Sequence, residues 1–246
     1  MLSKQFKWYL IDDEMINERK QRRAGAFFGR RKSKSLKPSQ AVLFEQLLPK
    51  LKLDLSEPAP DNLNLLFEGE ADKVILEIGF GAGEHLLQRC AEQEGNGFIG
   101  CEPFVNGMGT ALSGIAENQI SNLLLFDEDA TWLLNWLPRS SIDIIYLLYP
   151  DPWPKKRHWK RRFVNEENLR RFARILKSGG ELRFASDIDH YVNWTMDLVG
   201  DNADFQHSIE STNDGSKPWH GWKSTRYEKK AIREGRNSAY LTFERL

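Results

Sequence analysis

From residue 73 onward, short apolar runs alternate with segments whose apolar side chains recur every three or four positions. The runs "KVILEIG" (73–79), "GFIGCE" (97–102), "NLLLF" (122–126), "IDIIYLLYP" (142–150) and "ELRFASD" (181–187) predict strands. Helices are predicted over 84–95, 104–118, 130–137, 165–180 and 188–200, the fourth ended by glycines. Nearly continuous apolar strands separated by helices mean a parallel sheet covered on both faces. Two more strand-like stretches, "DFQHSIE" (204–210) and "SAYLTFERL" (238–246), follow with no helical pattern between them, so the final pair is expected to be antiparallel. Upstream, 38–51 reads as a short helix leading into the core and "SEPAPDN" (56–62) as a loop.

Residues 1–38 break the pattern. The stretch "ERKQRRAGAFFGRRKSKSLKP" is basic, carries glycine and serine, closes on proline, and shows no periodicity. It is expected to be a flexible arm preceding a single domain over 39–246. The chain has 35 basic and 35 acidic residues, so bulk charge announces no polyanionic partner. The distribution does: nine Lys/Arg fall between Arg19 and Lys37, and six more between Lys155 and Arg162. Basic clusters on a neutral chain are compatible with docking a nucleic acid on one face. Cys90 and Cys101 fall in a predicted helix and strand and are expected to be small buried residues in a reducing compartment. No apolar run reaches signal-peptide or membrane-span length, so a cytoplasmic location is expected. The five histidines show no metal-ligand spacing with the cysteines, and no metal is expected. Trp132, Trp136 and Trp194 lie at helical spacing and are expected in the core.

The turn "LEIGFGAGEH" follows the first strand and opens a helix, which is where open α/β sheets bind ligands. Gly79, Gly81 and Gly83 allow positive φ and close approach of a ligand. The third glycine of a dinucleotide fingerprint, G-x-G-x-x-G, is replaced by Glu84, which would face a pyrophosphate at the helix N-terminus. A nicotinamide oxidoreductase is therefore disfavoured. Glu77 precedes the turn and suits a ligand carrying positive charge, such as the sulfonium and ammonium groups of S-adenosylmethionine. Glu102 ends the second strand, where a carboxylate can accept both hydroxyls of a ribose. Asp129 follows the third, placed either to meet an adenine edge or to cap the helix at 130.

The stretch "YPDPWPKKRHWKRR" (149–162) follows the fourth strand. Pro150, Pro152 and Pro154 stiffen it, so Asp151 is held in place. Trp153 offers a flat face for stacking, and the basic run can hold phosphates. With "FIGCEP", "EDA", "ASDIDHY" and "STRYEKKAIREGRNSAYLTFE", these motifs resemble, in order and spacing, those of the bacterial tRNA (guanine-N7)-methyltransferases, which modify guanine 46 of the tRNA variable loop. The resemblance spans about Lys73 to Arg245. It implies a class I methyltransferase fold: α/β, doubly wound, a mostly parallel seven-stranded sheet with an antiparallel last strand. It implies S-adenosylmethionine contacts at Glu77, Gly79, Gly81, Gly83, Glu102, Asp129 and Asp151, with Asp151 also catalytic. Substrate positions would be Lys155, Asp187, Thr225, Arg226, Tyr227 and Glu228. Arg157, His158, Trp159, Lys160, Arg161 and Arg162 match the RNA-contacting stretch. The implied partner is tRNA, with neither DNA nor membrane, and the chain is expected to act as a monomer or homodimer. Two departures are Tyr149, where many relatives carry Phe, and "TRYE" in place of "TKFE".

The chemistry agrees. N7 of guanine has an in-plane lone pair and no proton, so placement matters more than a strong base. The base becomes cationic on methylation, and a nearby carboxylate, Asp151, can stabilise it or hold an exocyclic donor. Asp187 and Glu228 are further candidates for the guanine N1–H and N2–H₂, and Tyr227 and Trp153 for stacking an extruded base. A non-catalytic RNA-binding protein retaining the fold is the alternative, and the intact acids at 77, 102, 129 and 151 argue against it. A DNA amino-methyltransferase would carry a different turn after the fourth strand.

Overall fold

A computed structural model describes residues 29–207 and 215–246. Its centre is a seven-stranded sheet: β1 (Val74–Ile78), β2 (Gly97–Cys101), β3 (Leu123–Phe126), β4 (Ile142–Leu148), β5 (Leu176–Ser186), β6 (Phe205–His207) and β7 (Ala239–Arg245). The spatial order is β3-β2-β1-β4-β5-β7-β6. β7 runs antiparallel to β5 and β6, and the pairs among β1 to β5 are parallel. The chain winds outward one way through β2 and β3 and the other way through β4 and β5. The reversal therefore falls between β1 and β4, where open sheets leave a crevice at the strands' carboxyl ends.

Alternation along the pleat builds two cores. Val74, Leu76 and Ile78 of β1 face one, where they meet Leu133 of α5 (Ala130–Trp136), Phe172 of α6 (Glu166–Ile175) and Tyr191 of α7 (Asp189–Gly200). Ile75 faces the other, with Leu86 of α3 (Glu84–Glu92) and Met108 and Leu112 of α4 (Val105–Asn118). All five β1 residues are buried, which explains why this strand reads as continuously apolar apart from Glu77.

Several boundaries differ from the sequence reading. The entry helix is two pieces, α1 (Pro38–Gln46) and α2 (Leu48–Leu51), because Pro49 opens a new first turn. Helix α6 stops at Ile175, not 180, and β5 starts at Leu176, pairing with Ile142 before a register shift. Gly179 (φ +75°) takes up that shift. A helix, α8 (Arg226–Arg233), stands between β6 and β7, where no helical pattern was expected. Its apolar stripe is short: its buried residues are Ala231 and the polar Glu228, and its N-cap Thr225 is buried too. Residues 208–210 of the expected 204–210 strand, and 1–28 of the basic arm, lie outside the described residues. The arm's described end is docked: Val105 N–H donates to Arg31 O (2.8 Å), and the Asn106 side chain accepts from Ser33 N–H (2.8 Å). Trp132 is 42% exposed and outside the core, whereas Cys90 and Cys101 are buried free thiols. No helix among the described residues is long and apolar enough to cross a membrane.

Leu76 sits fully buried on the central strand, so Leu76→Ala is expected to lower unfolding free energy by about 2–5 kcal/mol in urea denaturation without changing the slope.

Candidate active site

After β1 the backbone turns through three glycines, all with positive φ: Gly79 (+75°), Gly81 (+61°) and Gly83 (+83°). Gly83 is the N-cap of α3. Helix α4 presses its own backbone against this turn. A Cβ on Gly107 would come 2.3 Å from the Gly81 carbonyl oxygen, a contact no side chain could tolerate. Beneath the turn, Glu102 at the end of β2 is 8% exposed. One carboxylate oxygen accepts from Gly81 N–H (2.7 Å) and the other from Phe104 N–H (2.9 Å). Burial pushes its pKa up to about 7, against the pull of those two N–H groups and of the Arg226 cation.

A cavity of about 650 Å³ opens over this turn, within the range that ligand pockets occupy. Its walls bring together Gly79, Gly81, Glu102, Asp129, Asp151 and Tyr227, which the sequence spreads over 149 positions. Asp129 takes the capping role, accepting from Thr131 N–H (2.9 Å) at the start of α5, and also stands on the cavity wall. Glu77 does not join them. The pleat turns it, 3% exposed, to the α3 face, where its carboxylate meets His85 Nδ1 at 2.6 Å. There it borders a second, smaller pocket, which shares Gly79, Leu148, Tyr149 and Tyr227 with the large cavity.

The loop bearing Asp151 is held in an uncommon conformation. Strand β4 ends at Leu148, two residues before the expected end, because Tyr149 adopts φ +51°. Trp153 adopts φ +42°. Two non-glycine residues in the left-handed region, one on each side of Asp151, cost on the order of 1–3 kcal/mol each and persist only if their surroundings hold them. Tyr149 is held from both ends: its N–H donates to Ala185 O (2.8 Å), and its hydroxyl to Ser238 Oγ (2.9 Å). Asp151 is open to solvent within the cavity mouth, yet the protein crowded around it raises its pKa above the ordinary carboxylate value.

The basic run forms a 3₁₀ turn over Lys156–Arg161. Lys155, Lys156, Arg157 and Lys160 are exposed, as RNA contact requires. His158, Trp159 and Arg161 are half-buried, with the Arg161 guanidinium 4.9 Å over the Trp153 ring. Arg162 departs from expectation: it borders the cavity but is 1% exposed, its guanidinium folded inward among aromatic rings.

The "TRYE" segment also divides. Thr225 and Glu228 are buried. Thr225 caps α8 by accepting from Glu228 N–H (3.3 Å), and the Glu228 carboxylate accepts from Trp222 Nε1 (2.9 Å) and from the Tyr240 hydroxyl. These two fasten the helix and stand outside the lining of the large cavity, although Thr225 borders the smaller pocket. Arg226 and Tyr227 turn outward to the turn. Arg226 N–H donates to Glu84 (2.8 Å), and its guanidinium lies over Gly81. Tyr227 is 45% exposed and stacks near-parallel on Tyr149, with ring centroids 6.2 Å apart. Asp187 lies outside the cavity lining, and its carboxylate accepts from Arg236 Nε at 2.8 Å.

Three features escaped the sequence reading. Gly29 and Arg30 line the cavity, so part of the basic arm belongs to the site. Helix α8 exposes Lys229, Lys230 and Arg233 beyond Tyr227, a basic face that α-helical spacing of the cations could have revealed. Arg183 is half-buried and donates to the Tyr146 hydroxyl (2.6 Å), bracing the sheet face behind His85. No group of three or more His, Cys, Asp or Glu arranged to hold a metal occurs among the described residues.

A family model described as "Putative methyltransferase" matches residues 71–241. The chain is 56% identical over 231 residues to a tRNA (guanine-N(7)-)-methyltransferase of Rhizobium meliloti (strain 1021), covering 94% of this chain and 100% of that protein. It is 54% identical, with the same coverage, to a tRNA (guanine-N(7)-)-methyltransferase of Agrobacterium fabrum (strain C58 / ATCC 33970). Among solved structures, the 16S rRNA methyltransferase KamB matches with a TM-score of 0.51 at 15% identity, covering 78% of this chain and 96% of that one, which speaks to the fold alone.

Two outcomes follow from the packing and the buried acid. Gly107→Ala is expected to destabilise the protein by about 1–3 kcal/mol and to raise hydrogen exchange in residues 79–83, since α4 must back away from the turn. For Glu102, the folded pKa near 7 exceeds the reference value of 4.5, so its stability contribution is present at low pH and lost as pH rises through 7. Thermal melts from pH 4.5 to 8 should therefore move in favour of Glu102→Gln over wild type, by on the order of 3 kcal/mol across that window. A pH-independent difference would contradict the burial argument.

Proposed function

We propose that this chain, which belongs to the tRNA (guanine-N(7)-)-methyltransferase family, transfers a methyl group from S-adenosylmethionine to N7 of guanine 46 in the tRNA variable loop. The observation that carries the reading is the placement, on one cavity, of a buried Glu102 under the glycine turn and of Asp151 in a braced loop across from it.

The residues present fit this cofactor. Backbone N–H groups already fix the Glu102 carboxylate, and its remaining lone pairs are free to accept ribose hydroxyls. Asp129, at the next strand end, would meet the adenine edge, and Gly79 leaves open space where any side chain would stand. Glu77 contributes indirectly, by fixing His85 and thereby the start of α3. When bound, S-adenosylmethionine supplies an electrophilic methyl group on a sulfonium. Ionised Glu102 accepts hydroxyl hydrogen bonds better than the neutral acid, so cofactor affinity should rise as pH rises through about 7.

The target guanine must leave its stack, at a cost of a few kcal/mol. Tyr227, exposed beside the turn and backed by Tyr149, offers the replacement surface. Asp151 is the catalytic residue. Its carboxylate can orient the base and stabilise the positive charge that develops on it as N7 is methylated. Because N7 carries no proton, holding the base in line contributes more than proton transfer does. Lys160, at the cavity wall, and the exposed Lys155 and Arg157 beside it, with Lys229, Lys230 and Arg233 on the helix that carries Tyr227, would hold the RNA backbone.

The test is incubation of the pure protein with methyl-labelled S-adenosylmethionine and unmodified tRNA, followed by nucleoside mapping. The expected product is 7-methylguanosine at position 46, with Asp151→Ala reducing kcat at least a hundredfold and leaving the fold intact. Cofactor binding without tRNA methylation would overturn the substrate assignment and leave the fold reading standing.

A further inference from the structure

Arg162 is the largest fully buried side chain among the described residues, and no carboxylate among them pairs with it. Its guanidinium carbon lies 4.9 Å over the Trp159 ring, 4.9 Å over Tyr191 and 5.1 Å over Trp194. Arg162 Nε donates to the Pro152 carbonyl (2.9 Å), and a terminal nitrogen meets His190 Nδ1 (3.1 Å). The other terminal nitrogen, NH1, is buried with no hydrogen-bond partner among the described residues. Its own backbone closes the 3₁₀ turn, through Arg162 N–H to Trp159 O (2.9 Å).

Burying a guanidinium without a counter-ion is costly, and such a group persists where it holds something the fold needs. What it holds is the carbonyl next to Asp151. Between Tyr149 and Trp153, both strained, Pro150 and Pro152 have no N–H to donate, so the loop has few ways to anchor itself. The aromatic cage fixes the arginine by cation–π contact, and the arginine fixes Pro152. Lysine could not replace it, since a point charge on a flexible stem cannot fill the cage and reach both Pro152 and His190.

On the reading of function above, we propose that Arg162 is a positioning residue for Asp151, not an RNA contact. The cage of Trp159, Tyr191 and Trp194 locks its guanidinium so that the Pro152 carbonyl, and with it Asp151, stays at the cavity wall. A misplacement of about 1 Å at a reacting centre can cost a hundredfold in rate. The role therefore appears in kcat, with tRNA affinity left alone.

The test compares Arg162→Lys with Arg157→Gln, an exposed residue of the same run. Arg162→Lys is expected to lower kcat ten- to a hundredfold, to leave KM for tRNA within about twofold, and to leave the slope of log K against log salt unchanged. Arg157→Gln should raise KM and make that slope shallower by about 0.7–0.9, the change for one lost phosphate contact. A shallower slope and raised KM for Arg162→Lys, with kcat intact, would overturn the proposal. Should Arg162→Lys fail to fold, the wild-type protein answers through arginine labelling with phenylglyoxal, read by peptide mapping. Arg162 should stay unmodified with or without tRNA while Arg157 reacts and is shielded by tRNA. Rapid labelling of Arg162 in the free protein, blocked by tRNA, would overturn it. Absence of any methylation by wild type would sink the functional reading instead, while the labelling pattern would still report where Arg162 points.

Discussion

The buried carboxylate of Glu102 is the interaction on which the site depends. Its two oxygens accept from Gly81 and Phe104, so one side chain ties the end of β2 to the glycine turn after β1 and to the start of α4. That tie spans the two strands flanking one side of the sheet's reversal. Gly107 lets α4 close on the Gly81 carbonyl, and Arg226 covers Gly81 from outside. The turn is thus held from below, beside and above before any ligand arrives. Burial raises the acid's pKa, and the same two N–H groups keep it from rising further.

Across the cavity the design is different. The loop after β4 stores strain at Tyr149 and Trp153, and the surrounding structure restrains it through particular contacts: Ala185 and Ser238 on Tyr149, and Arg162 on Pro152. Such strain around an acidic residue is common where a group must be pre-set for chemistry. The C-terminal segment joins both halves. Glu228, held by Trp222 and Tyr240, fixes α8, and α8 sets Arg226 on the glycine turn and Tyr227 beside Tyr149.

Much of the fold was legible because β1 to β4 are short and mostly apolar, and glycine, proline and acidic residues mark their ends. The same signals located Gly79, Gly81, Glu102, Asp129 and Asp151, which converge on one cavity, and Gly83, which caps α3 behind it. What stayed hidden depended on tertiary contact. The helix α8 buries polar Thr225 and Glu228, so no apolar period announces it. The inward turn of Glu77 follows from pleat parity and from His85 on a neighbouring helix. Arg162 reads in sequence as one more cation in a basic run, and only the aromatic residues at 159, 191 and 194, brought from two helical segments, draw it inside. Arg30 joins the cavity because Asn106 and Val105 capture the chain around Ser33, a contact over 73 residues that no local pattern signals.

On the proposed function, Glu102 and Asp151 face one bound cofactor on a shared cavity. The most direct measurement is a crystal structure of the protein with S-adenosylhomocysteine. The expected result is the ribose hydroxyls on the Glu102 carboxylate, the adenine beside Asp129, and the sulfur turned toward Asp151. A ligand seated instead in the small pocket by Glu77 and His85, or a Glu102 that swings away from Gly81 on binding, would contradict it.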